Sequence, residues 1–65
     1  MNKSETNGYL AAVEAQLRAV AAALDEVSRT GDLTGVQFNV FREVRLDVIN
    51  TVQKLSTVRE WNLRG

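Results

Sequence analysis

Leu10, Val13, Leu17, Val20, Leu24 and Val27 recur at alternating spacings of three and four. This is the a/d repeat of a helix that buries one seam against another helix. Alanines at positions 11, 12, 15, 19 and 21 to 23 surround the seam; they favour helix and let a neighbouring backbone approach closely. The pattern predicts a first helix over about residues 9–29. Ser4, Thr6 and Asn7 are each able to cap its start, and Gly8 weakens any turn placed before Tyr9. Arg29 suits the negative end of the helix dipole, and Gly31 is the residue type that best accepts a left-handed terminating conformation.

Phe41, Val44, Val48, Val52, Leu55 and Val58 share one face of a second helix, predicted over about residues 36–62. Thr34 followed by Gln37 fits a capping box at its start. No proline interrupts the segment, and alternation around Glu43 to Asp47 ends where Val48 and Ile49 sit side by side, which argues against a strand. Helices joined by a connection as short as residues 30–35 fold back as antiparallel neighbours. The expected fold is therefore all-α: a polar N-terminal segment (1–8), an antiparallel two-helix hairpin (9–62) and a short tail (63–65).

One neighbour does not account for the apolar arc of the second helix. Phe38 and Ile49 lie about 60–80° to one side of the stripe, and Val40 and Val58 about 100° to the other. At 65 residues with 45% hydrophobic content the chain has room for a single small core. Such cores are usually supplemented by disulfides, a metal or association. With neither cysteine nor histidine present, association remains. Two hairpins related by a two-fold axis, forming a four-helix bundle, cover both flanks, so a homodimer is expected with Leu10, Val13, Leu17, Val20, Leu24, Val27 and the Phe41–Val58 stripe as its core. A different protein, or a trimer or tetramer of hairpins, satisfies the same spacings.

Eight basic residues balance eight acidic ones, so no large field draws the chain to nucleic acid or anionic lipid. There is no apolar run of membrane-spanning length and no basic-then-apolar leader pattern, and the expected location is soluble and cytoplasmic. The first helix sets Glu14, Asp25 and Glu26 against Arg18 and Arg29, a poor polar face for a membrane surface.

Candidate chemistry is sparse. Without histidine or cysteine the commonest general base and the strongest nucleophile are missing; Asp25 with Glu26 and Glu43 with Asp47 read as solubilising charges. Gly31 and Gly35 do not match a phosphate-binding loop. No catalytic residue, metal ligand or cofactor site is expected. Leu46, near Phe38 and Ile49, is a candidate partner surface, and Trp61 is either an anchor for another protein or a cap over the end of the bundle. Arg42, Arg45 and Arg59, with Lys54, give the second helix a basic tendency, but Glu43, Asp47 and Glu60 are interleaved with them. Arg45 and Arg59 fall close to the apolar stripe, where Glu14, Asp25 and Glu26 are their natural partners. The expected function is a non-enzymatic protein–protein interaction module, an adaptor, regulator or assembly factor. The alternative is a helical nucleic-acid-binding dimer of the Rop kind, with Arg42, Arg45 and Arg59 on one face.

Overall fold

The computed structural model describes residues 1–64. Among these the chain is all-helical, with α1 over Lys3–Thr30 and α2 over Gly35–Arg64. The two pack side by side in a rod of 46 × 15 × 14 Å. They run antiparallel: Asn62 donates to Asn7 Oδ1 at 2.7 Å at one end, and Arg45 bonds Asp25 toward the other.

α1 begins six residues before the periodicity predicts. Asn2 adopts an extended N-cap conformation, and its Oδ1 accepts the Glu5 N–H at 2.8 Å while its Nδ2 donates to Glu5 Oε1 at 3.0 Å. This is an asparagine N-cap in which the Glu5 carboxylate returns to the Asn2 side-chain amide, and it holds the first turn. A mid-helix glycine costs only about 1 kcal/mol, so Gly8 is carried inside a helix that is capped upstream and packed downstream.

The turn also departs from expectation. Gly31 is extended (φ −80, ψ 165), not left-handed. Its N–H donates to Val27 O at 2.7 Å, closing the last turn. Glycine is required there for closeness: a Cβ at Gly31 would lie 2.6 Å from Val27 O, a backbone atom that cannot step aside. The positive φ falls at Gly35 (φ 58), which opens α2, and no hydrogen bond joins Thr34 to Gln37. We expect Gly31→Ala to destabilise the domain by roughly 1–3 kcal/mol, the usual cost of forcing extra volume into a filled site; a thermal midpoint equal to that of the parent would contradict the close contact.

α2 runs on through Leu63 and Arg64, so those two expected tail residues are helical. Gly65, the last residue of that tail, lies outside the described residues. No helix among those described is long and apolar enough to cross a membrane.

Candidate interaction surface

The contact between the helices repeats every seven residues. On α1 it runs through Asn7, Glu14, Ala21 and Ser28 on one edge and Leu10, Leu17 and Leu24 on the other, all buried or half-buried. On α2 the edges are Phe38, Arg45, Val52 and Arg59, and Phe41, Val48, Leu55 and Asn62. Among the described residues only Val52 and Glu14 are buried, Glu14 completely.

The first edge is largely polar on α1, and on α2 it alternates Phe38 and Val52 with Arg45 and Arg59. Glu14 has no exposed surface and meets Arg59, whose Nε lies 2.6 Å from Oε2 but off the hydrogen-bonding direction; the bond itself runs from Arg59 Nη2 to Oε1 at 3.3 Å. Arg18 approaches Glu14 Oε1 at 3.8 Å from the solvent side. Asp25 bonds Arg45 across the contact, whereas Glu26 bonds Arg29 within α1. A carboxylate with no access to water persists only with a cation against it, so Glu14 and Arg59 hold the two helices in one register.

Exposure along the valines points the other way. Val13, Val20 and Val27 are 42–46% exposed, and Val44 and Val58 are 45% and 43% exposed. At about 103° per residue, these positions lie roughly 77° to one side of the contact on each helix. A shallow groove lined by Arg18, Ala21, Ile49, Val52 and Gln53 puts Arg18 and Ile49 on the same broad face of the hairpin. The valines of both helices, with Thr51, therefore share the opposite face. Leu10, Leu17, Leu24, Phe41, Val48 and Leu55 form the edge of the contact nearest the valines. In both helices the apolar face is turned about 50° away from the partner helix, toward one open side of the hairpin.

The remaining candidates are distributed over several surfaces. Phe38 lies in the contact and Ile49 at its polar edge, both half-buried, and Leu46 is exposed one turn from Ile49. Trp61 is 64% exposed and lies on the opposite flank of α2, beside Val40 and Val58; it does not join Leu46. Arg42, Arg45 and Arg59 all fall toward the polar face, but Arg45 and Arg59 are taken up by Asp25 and Glu14.

The polar inter-helix edge has a signal in the sequence that apolar periodicity passes over: Asn7 and Glu14 are seven apart, as are Arg45, Val52 and Arg59. Among the described residues no cluster of three or more acidic side chains is placed to hold a metal ion. Compared with protein-family models, curated proteins and solved structures, the chain has no significant match.

Proposed function

We propose that the chain is a small non-enzymatic interaction module: two hairpins join through their valine faces into a four-helix bundle, and the outer surface of the bundle engages another protein as an adaptor, regulator or assembly factor. The observation that carries this reading is the rotation of both apolar faces away from the single inter-helix contact. Surface area supports it. A folded monomer of 7.2 kDa exposes about 4,100 Å² on the usual scaling, and this chain exposes 4916 Å². The excess, on the order of 800 Å², is what each partner gives up in an interface of standard size.

Leu46, 50% exposed, remains on the outside of such a bundle, beside Ile49. Leu46→Glu is expected to leave helicity and thermal midpoint within about 0.5 kcal/mol of the parent, while removing proteins that quantitative affinity capture recovers with the parent chain. Identical capture by both chains would remove Leu46 from the reading, and unfolding would make it part of the core. Nucleic-acid binding draws less support, because each of the two arginines nearest the contact already faces a carboxylate. Anisotropy titrations with duplex RNA and DNA decide it: binding that weakens by orders of magnitude between about 50 and 200 mM salt would overturn the protein-partner reading.

A further inference from the structure

Resting on that self-association, we infer how the two copies are arranged: the two-fold axis crosses the helices at the level of Val20 and Thr51, so that α2 lies antiparallel on α2 of the second copy, α1 on α1, and the two turns sit at opposite ends.

The valine row is symmetric about this level. The register of the hairpin sets Val27 beside Val44, Val20 beside Thr51 and Val13 beside Val58. Turning the row end for end places Val13 on Val27, Val44 on Val58 and Val20 on Val20, with Thr51 meeting Thr51 at the axis. The Thr51 hydroxyl is already satisfied by Asp47 O at 2.8 Å, so its methyl group is free to face the axis.

The flank outside the valines distinguishes this arrangement from its rival. On α2 that flank carries Val40, Asp47, Lys54 and Trp61 at intervals of seven, all exposed. Antiparallel packing of α2 on itself about the Thr51 level puts Asp47 of each copy opposite Lys54 of the other, and Val40 of each opposite Trp61 of the other. Both matches occur twice by symmetry. Among the described residues neither Asp47 nor Lys54 forms an ion pair inside the hairpin, and Val40 and Trp61 are 53% and 64% exposed. The corresponding flank of α1, with Tyr9, Gln16, Ala23 and Thr30, carries no charge, so α1 approaches its own copy without repulsion. If α1 instead packed on α2 of the second copy, Asp47 would face Ala23 and Lys54 would face Gln16, and no opposite charges would meet. Charge complementarity sets register and orientation at such flanking positions in helical bundles.

The test uses two variants of the full chain, Asp47→Lys and Lys54→Asp, measured alone and mixed by native mass spectrometry, with helicity followed in parallel. Each variant alone pairs like with like at both contacts and is expected to self-associate about five- to tenfold more weakly than the parent, the range that two exposed charge pairs supply. Mixed, they regain opposite charges at both contacts, so heterodimers should exceed the one-half share of random mixing, and Trp61 emission should shift to shorter wavelength as the mixed dimer forms. Random mixing of variants that still dimerise, or a mixture that fails to dimerise although the parent does, would overturn this arrangement and leave self-association standing. A parent chain that stays monomeric would overturn both.

Discussion

Leu17→Asp is expected to abolish the cooperative fold, with helicity lost at every accessible concentration. Leu17 lies at the middle of α1 and, by the register of the Asn7–Asn62 and Asp25–Arg45 pairs, at the level of Val52 and Gln53. Its edge of the contact offers Leu10, Leu24, Val48 and Leu55 as neighbours and no cation; Arg18 and Arg59 are both turned to Glu14. An unpaired carboxylate placed there costs several kcal/mol on top of the lost leucine contacts, themselves worth about 2–5 kcal/mol. A domain of this size has roughly 3–10 kcal/mol in total, so the substitution removes most or all of it. Thermal denaturation followed by circular dichroism checks this; a cooperative transition in the variant would place the contact elsewhere.

Val20→Glu separates the dimer from a lone hairpin more sharply. Val20 is 46% exposed in the single chain, and a change at a half-exposed surface position is ordinarily worth less than about 0.5 kcal/mol. In the proposed dimer, however, the substitution brings two carboxylates together near the two-fold axis in an environment closed to water, where an unpaired charge costs several kcal/mol per copy. The expected result is a chain that neither dimerises nor holds its helices at micromolar concentration. Unchanged mass and midpoint would show that Val20 faces solvent in the working molecule. Leu46→Glu, which adds the same charge to the outside of α2, is the matched control.

Both helices and their antiparallel turn are legible in the sequence because their apolar residues recur at helical spacing and glycines bracket the connection. The start of α1 is not, because its cap, Asn2 with Glu5, stands on the far side of Gly8 from the first apolar repeat. The turn misleads for a different reason: glycine at position 31 reads as a left-handed terminator, whereas its role is to leave room for Val27 O. Periodicity also locates the centre of an apolar face without saying which neighbour occupies it. Leu10, Val13, Leu17, Val20, Leu24 and Val27 form one continuous stripe, yet the other helix of the same chain touches only its leucine edge and extends past it to Glu14, Ala21 and Ser28. A stripe shared between two neighbours is the pattern of a four-helix bundle, in which each helix points its apolar centre at the common axis. The pairing of Glu14 with Arg59 and of Asp25 with Arg45 is legible in the sequence, because both arginines fall close to the apolar stripe and need a carboxylate there; that Glu14 is fully enclosed is not, because it follows from the rotation of the contact toward it.

Self-association through the valine faces is tested most directly by molar mass from light scattering across a dilution series, with helicity measured on the same samples. A dimer gives twice 7.2 kDa at high concentration and a loss of helicity that tracks dissociation, since among the described residues a single hairpin buries only one apolar side chain, Val52. A mass of 7.2 kDa with full helicity at all concentrations would contradict it.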